Sequence, residues 1–321
     1  MVTKNIKSVD VSRWRGSRFY GFICCLVAYG VAMIVALFVG QAMSGSHPLV
    51  VIALADLAAT CAIFLFSVIF NNSSIYDPYW SVAPVIIAAY LLFSGLGTGT
   101  PGITWRKAIV AGLILLWSCR LTWNWARSWK GLAHEDWRYV QFRRNCGKWY
   151  WPVSFLGIHL FPTICVYLGC ISLYTVFISG GSTLNMLDLI ALIVTIGAIL
   201  IETKADQDLL RFKVKRQSQS EILSTGVWGF VRHPNYLGEI AFWWGMFLFS
   251  LASGISAAPS FMIRLIGPLA ISALFLLVSI PMIERRMLKR HPGYEHIIDT
   301  IPALIPRLPI GKRRDPRTIA E

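Results

Sequence analysis

Apolar residues run along this chain in unbroken blocks of about twenty, divided by stretches that hold nearly all the charge. A soluble fold would mix apolar and polar positions at a period of 2 or 3.6, whereas a block of roughly 20 is the length that crosses a bilayer as a helix. Eight blocks are predicted as transmembrane helices, near 19–42, 49–70, 79–97, 105–125, 152–178, 184–203, 236–255 and 262–284. The third is Gly-rich and the seventh short. Transmembrane β-strands would instead alternate over about 10 residues. The predicted class is all-α: a polytopic membrane bundle of about eight helices.

Composition agrees with the pattern. The 321 residues are 55% hydrophobic and 14% charged, against about 25% charged in an average soluble domain. Charge then orients the helices. Of the 30 Lys and Arg, five precede residue 19, six lie in 127–148, six in 204–232 and nine in 285–317. With eight spans and a cytoplasmic N-terminus, all four clusters and the C-terminus fall on the cytoplasmic side, as basic loops are expected to do. Arg106 and Lys107 would sit on the far side and are the exception. Topology and anionic headgroups account for most of the +14 net charge. No recognition module accompanies it, so nucleic acid is not an expected partner.

The polar N-terminal stretch is long, and the apolar segment after it has no clear cleavage site, so residues 19–42 read as an uncleaved first helix. The seven Cys form no CxxC and mostly lie within spans, as small packing residues. No HxxxH or HxxH supports a metal centre. Four segments are expected: a basic cytoplasmic end, 1–18; a transmembrane hairpin, 19–64; a membrane domain carrying the chemistry, 65–306; and a basic tail, 307–321. The turns at 43–48 and 179–183 are Gly/Ser-rich, whereas 71–78, 126–151, 204–235 and the tail from 285 are rich in polar chemistry. All of the latter fall on the face that meets soluble metabolites. A transporter would more often show inverted halves or broken helices near the midplane.

The densest stretch is "RHPNYLGE", 232–239. Pro234 disfavours helix at His233, so a helix starts there, with free N–H groups that suit phosphate or carboxylate. Arg232 and His233 add donors, Asn235 and Tyr236 add hydrogen bonds, Gly238 allows close approach, and Glu239 needs a donor such as a ribose hydroxyl. A capped helix start with snorkelling side chains is the alternative; five polar groups in eight residues favour a ligand. In "ETKADQDLLRFK", Glu202 and Asp206 share a helix face, with Arg211 and Lys213 about two turns on. An ordinary solvated helix end explains them equally well. "RLTWNWARSWKGLAHEDWRYVQFRR", 120–144, sets Arg120, Asn124 and Arg127 at helical spacing among interfacial Trp residues. Its "HEDWRY" adds Asp136 and Tyr139, which membrane anchoring does not need. "NNSSIYDPYWSV", 71–82, offers Asp77 and Tyr79 for a substrate head, or forms a plain Asn-Asn, Asp-Pro turn.

Taken together, "DPYW" (77–80), "CRLTWNWAR" (119–127), "EDWRY" (135–139), "ETKADQDLLRF" (202–212), "GVWGFVRHPNYLGE" (226–239) and "ERRMLKRHPGY" (284–294) make the chain resemble the steroid 5α-reductase superfamily. The resemblance is greatest to its bacterial branch, DUF1295, over roughly residues 65–306. It implies a helical membrane enzyme that takes NADPH from the cytoplasmic side and reduces an activated C=C, the olefin of an enone in the better-known members. The implied cofactor residues are Asn235, Gly238 and Glu239, then Asp206 with Glu202 where relatives have Asn. The resemblance also implies that Arg285, Arg286 and Tyr294 of the tail help close the site; Arg127, Arg211, Arg232, His233 and Tyr236, read from the motifs above, complete the candidate cofactor set. Steroid-reducing members hold the ketone oxygen with a Glu in an early helix and a Tyr in the middle. No match for that Glu is found, and Asn124 stands near where the Tyr falls.

The implied reaction builds negative charge on a carbonyl oxygen, so a donor aimed there supplies the main electrostatic help. Tyr79, Tyr139 and Tyr236 are candidate donors, with Asp77 or Asp136 to orient or protonate. The expected partners are an apolar lipid or sterol-like substrate and membrane lipids, in a bacterial inner membrane. The superfamily's isoprenylcysteine methyltransferases carry a similar "RHPxYxG" that binds S-adenosylmethionine. They are the alternative, although Glu239 directly after the Gly looks more like the reductases.

Overall fold

The computed structural model describes residues 16–95, 103–178, 183–218, 220–254 and 259–306. Most of the expected end segments 1–18 and 307–321, and of the expected turn 179–183, lies outside them. Among the described residues every regular element is helical. Each of the eight apolar blocks contains a helix, but seven helices are long and apolar enough to cross a membrane. They are α1 (Arg18–Ala42), α2 (Pro48–Ile69), a run from Ser73 through α3 (Tyr79–Phe93), and α4 (Trp105–Ser128). Next come a run holding α5 (Trp137–Cys146) and α6 (Phe161–Ile178), then α7 (Met186–Lys215). After α8 (Pro234–Ala252), the last run joins α9 (Phe261–Ala273) to α10 (Ile280–Arg290); a short α11 (Tyr294–Thr300) follows. The difference between eight blocks and seven such helices falls on α8. It has 19 residues, but Asn235, Tyr236 and Glu239 in its first turns leave it less apolar than the seven.

Two compact units divide the chain: Met1–Leu184 with Phe249–Gly267, and Asn185–Leu248 with Pro268–Glu321. In the first, α6 is the central helix and packs on α2, α3 and α4, while α1 packs on α2. Small residues dominate the seam: Cys25, Ala28 and Ala32 of α1 and Ala59 of α2 are buried together with Ile63, Ile75, Tyr76 and Tyr79. Lipid tails are as apolar as Leu, so burial alone does not drive helices together in a bilayer, and close backbone approach through small residues does. The exposed Leu, Ile and Phe of α1 fit the same solvent.

Two stretches are π-helical, Ser154–Leu160 before α6 and Leu274–Ser279 before α10. Each runs into a proline at the second position of the next helix, Pro162 and Pro281. A proline lacks the N–H that would continue the ladder, and its ring clashes with the carbonyl four residues back; widening the helix there relieves both.

In the second unit α7 begins with a reciprocal cap: Asn185 Oδ1 accepts from Leu187 and Asp188 N–H, and the Asp188 carboxylate accepts from Asn185 N–H. The helix then runs 30 residues, well past the expected 184–203. Two glycines seat α8 on it. A Cβ on Gly238 would lie 2.6 Å from Glu202 Cβ and 2.8 Å from the Ala198 carbonyl, and one on Gly245 would run into Thr195 Oγ1. Gly245→Val should therefore lower the thermal midpoint of the detergent-solubilised protein, by an amount equivalent to about 1–3 kcal/mol of overpacking. Gly112→Ala, at a position with nothing within 4 Å, should leave it unchanged; equal melting of the two variants would remove this seam from the account.

Candidate functional site

The first unit buries an acid that sequence reading passed over. Asp56 lies close to the midpoint of α2 and is 7% exposed. Its Oδ1 accepts a 2.5 Å hydrogen bond from the Tyr79 hydroxyl, which also reaches the Asp56 carbonyl at 3.2 Å. The other carboxyl oxygen, Oδ2, is buried with no hydrogen-bond partner. Tyr79 is 6% exposed at the start of α3, its ring stacked on Tyr76 with centroids 5.2 Å apart. The signal for Asp56 was present in the sequence: one acid within "VVIALADLAATCAIF". An ionisable residue inside a span is costly and therefore marks a functional candidate.

The other three predicted catalytic residues, Asp77, Asp136 and Tyr139, form a different network. Tyr139 donates to Asp77 Oδ1 at 2.7 Å. Asp136 caps α5: its Oδ1 accepts from the Arg138 backbone N–H and from Arg138 Nε, each at 2.8 Å. Its own N–H donates to Ser74 Oγ at 2.9 Å. Around them the 71–77 turn is laced to the loop before α5. Asn72 Nδ2 donates to the Leu132 and His134 carbonyls, and Ser73 N–H donates to Glu135 Oε1. Arg143 pairs with Glu135 at 3.1 Å and lies 3.9 Å over the Tyr150 ring. Asn71 holds a left-handed backbone, φ 50°, and accepts from Arg143. The turn is thus stitched in place by "EDWRY" rather than left as a plain loop. Asn124, expected near the family Tyr, accepts from Arg127 on its own helix at 2.9 Å.

Most predicted cofactor residues belong to the second unit; Arg127, exposed near the end of α4, belongs to the first. Two groups form. In one, buried Glu202 faces Gly238 across the α7–α8 seam, and buried Glu239 accepts from Trp243 Nε1 at 3.3 Å. Asp206, one turn beyond Glu202, and Asn235, in the first turn of α8, are both half-buried. The helix ends are exposed and basic: Arg211 on α7 and Arg285 on α10.

The second group is a strap. Arg232 Nε donates to Glu284 Oε1 at 2.8 Å, and its Nη1 donates to the carbonyls of Ile298, at 2.9 Å, and Ile301. His233 Nε2 lies 2.9 Å from the same Glu284 oxygen. The backbone N–H groups of Arg232 and His233 donate to Pro302 and Ala303. Tyr236 stacks on His233, centroids 5.5 Å apart, and on Phe275 of the second π-helical stretch at 4.7 Å. Tyr294 is buried beside the pair. Its hydroxyl is pushed up to about 12, first by burial and then by the Glu284 charge, with Arg232 pulling the other way. Much of Arg232, expected to face phosphate, is therefore committed to the chain's own tail. Glu284 stood inside a quoted motif and was not singled out, because nothing in its spacing shows that it meets residues about fifty positions earlier.

These features define a multi-pass helical membrane protein with a buried acid–phenol pair in one unit and an Arg–His–Glu strap beside a polar helix start in the other. The family described as "Protein of unknown function (DUF1295)" matches residues 63–300, well over half of the chain, and the chain belongs to that family. An uncharacterized protein of Schizosaccharomyces pombe, C594.04c, is 27% identical over 286 residues, 82% of this chain and 81% of the relative. It is a yeast protein, so the expectation of a bacterial membrane draws no support from it. No solved structure matches the chain.

If the strap holds the tail, Arg232→Lys should not replace it, because one ammonium cannot reproduce the forked contacts to Glu284 and two carbonyls. A loss on the order of 2–4 kcal/mol is expected, with faster protease cleavage within 291–303. A variant that melts and resists protease like the parent would show the strap to be incidental.

Proposed function

We propose that this protein is an NADPH-dependent membrane reductase, a member of the steroid 5α-reductase superfamily acting on the activated C=C of a lipid or sterol-like enone. The observation that carries the reading is the Asp56–Tyr79 pair: an early-helix acid holding a buried phenol, the combination with which steroid-reducing relatives grip a ketone oxygen. Asp56 takes the part for which no Glu was found, and Tyr79 the part looked for near Asn124.

NADPH supplies the hydride. The donor set of the second unit suits such a dinucleotide: Asp206, Glu202 and Glu239 to accept from ribose and amide groups, Asn235 as amide, and exposed Arg211 and Arg285 for phosphate. Arg232, His233 and Tyr294 order the segment that opens α8 and make few of the contacts themselves. In the first unit a protonated Asp56 carboxyl donates to the Tyr79 oxygen, and Tyr79 then turns its own proton to the carbonyl oxygen as it gains negative charge. A donor fixed in advance where charge develops contributes more in a water-free site than in solvent. Tyr139 and Asp77 hold the turn that leads into α3. We place α8 in the membrane as an eighth span, with both termini and the four basic clusters on the cytoplasmic side. An apolar substrate then enters laterally from lipid.

The test uses purified full-length protein in detergent, with a steroid enone and a long-chain acyclic enone as probes. Enone-stimulated NADPH oxidation is expected. Tyr79→Phe and Asp56→Asn should reduce kcat on the order of 10²-fold or more while NADPH still binds, whereas Asn235→Ala and Glu239→Ala should weaken NADPH binding. Tight S-adenosylmethionine binding without NADPH binding would transfer the case to a membrane methyltransferase. Binding of neither would leave a transporter or scaffold.

A further inference from the structure

His159 has no role in the reaction proposed for Asp56 and Tyr79, yet it is fully buried in the π-helical stretch Ser154–Leu160. Both of its ring nitrogens are held. Nδ1 lies 3.0 Å from the Ser154 carbonyl, five positions back, and Nε2 lies 3.1 Å from Ser67 Oγ of α2. A carbonyl only accepts, so Nδ1 carries the ring proton. In the neutral ring Nε2 is then an acceptor and takes the Ser67 proton. The other acceptor within reach of that hydroxyl is the Ile63 carbonyl at 3.0 Å, which already receives a helix N–H. Phenylalanine at this position would fill the space with no polar group to satisfy, but nothing would fix its rotation about the Cβ–Cγ bond. Two hydrogen bonds fix the imidazole.

The fixed ring lies against Tyr76, with centroids 4.8 Å apart, and T-shaped to Phe64 at 5.1 Å. Tyr76 in turn stacks on Tyr79, with centroids 5.2 Å apart and 24° between the ring planes. The far end of Tyr76 is tied as well, its hydroxyl 2.8 Å from Thr163 Oγ1. Tyr29 adds a tilted contact to Tyr79 at the longer distance of 6.2 Å. His159, Tyr76 and Tyr79 are between 0% and 6% exposed, and all three belong to the first unit. Asp56 therefore sets the Tyr79 hydroxyl, while the Tyr76 stack sets the plane of its ring.

We propose that His159 is a positioning residue for Tyr79, acting through the Tyr76 ring. The role rests on the reductase reading, in which Tyr79 turns its proton from Asp56 to the substrate oxygen. That turn is a rotation of the hydrogen about the phenol C–O bond. It aims the proton correctly only if the ring and its oxygen stay still while the hydrogen moves. A displacement of about 1 Å at a reacting group costs on the order of 10²-fold in rate, and a loosened stack displaces the phenol by a fraction of that.

The first test needs no turnover. The Asp56 carboxyl band is identified in the infrared as the signal lost in Asp56→Asn, and it reports the contact with Tyr79. His159→Phe, which keeps a ring but loses both hydrogen bonds, should shift or broaden it. Ser67→Ala removes one hydroxyl and no ring; it should act in the same direction by less, and it carries the test where His159→Phe does not fold. In enone turnover His159→Phe should lower kcat on the order of tenfold with KM little changed. Tyr76→Leu should lower kcat at least as far, and adding His159→Phe to it should cost nothing more, because the ring that transmits the effect is gone. A band unmoved in folded His159→Phe and Ser67→Ala proteins would overturn the positioning role whatever the activity. Unchanged kcat beside a shifted band would overturn its bearing on the reaction. A further tenfold loss on top of Tyr76→Leu would overturn the route through Tyr76. No enone turnover by the parent protein, with the band still shifting, would sink the reductase reading while the contact from His159 to Tyr79 stands.

Discussion

Hydrocarbon cannot hydrogen-bond. Each polar group that enters a membrane span must find a partner in the protein, and the buried polar side chains of this molecule are arranged accordingly. Asp56 has Tyr79, Thr60 has Thr163, and Ser67 lies 3.1 Å from His159, whose other ring nitrogen is 3.0 Å from the Ser154 carbonyl. Such contacts add modestly to stability but are expensive to leave unmade. A chain that only needed to fold would place Ala, Val or Leu at these sites, as it does at Ala59, Ala83 and Ile63 beside them. Keeping an acid near the midpoint of α2 is a cost, and the fold offsets part of it with the Tyr79 hydroxyl on one carboxyl oxygen.

The same reasoning separates the two roles of "RHPNYLGE" in the second unit. Its first two residues look backward to the tail. Arg232 and His233 share one Glu284 oxygen, and their backbone N–H groups pair with Pro302 and Ala303. The later residues enter α8, where Gly238 permits contact with Glu202 and Glu239 is buried. A motif that reads as one ligand site is thus half architecture. The architectural half orders the segment from which the polar helix start projects.

Much of the fold was legible in the sequence, because long apolar blocks signal spans without any tertiary information. What was not legible has identifiable causes. The polar turns that open α8 lower its hydropathy, so block length and helix composition give different counts, eight and seven. The π-helical stretches depend on Pro162 and Pro281 acting on the turn before them, which apolar periodicity does not report. The Arg232–Glu284 pair spans 52 positions, and composition says nothing about such meetings. Asp56 was readable and was missed for a different reason. Attention went to clusters of polar residues, whereas inside a span a single acid carries more information than a group near the interface.

Three acid–phenol pairs stand in the first unit: Asp56–Tyr79 at 2.5 Å, Asp77–Tyr139 at 2.7 Å, and Glu135–Tyr150 at 3.2 Å, the last shared with Arg143; bond length does not tell the first two apart. Their surroundings do. Asp77 lies within the electrostatic reach of Arg138 and Asp136, in a turn where Asn72, Ser73, Ser74 and Glu135 are already paired with one another or with backbone. A proton taken from that network would leave several contacts mismatched at once. Asp56 keeps one carboxyl oxygen buried without a partner. Asp77 lies two residues before Tyr79 and is held by Tyr139, so "EDWRY" braces the turn that leads into α3. On the proposed reductase reading, chemistry falls to Asp56–Tyr79, where the surrounding lipid makes one well-placed proton worth most.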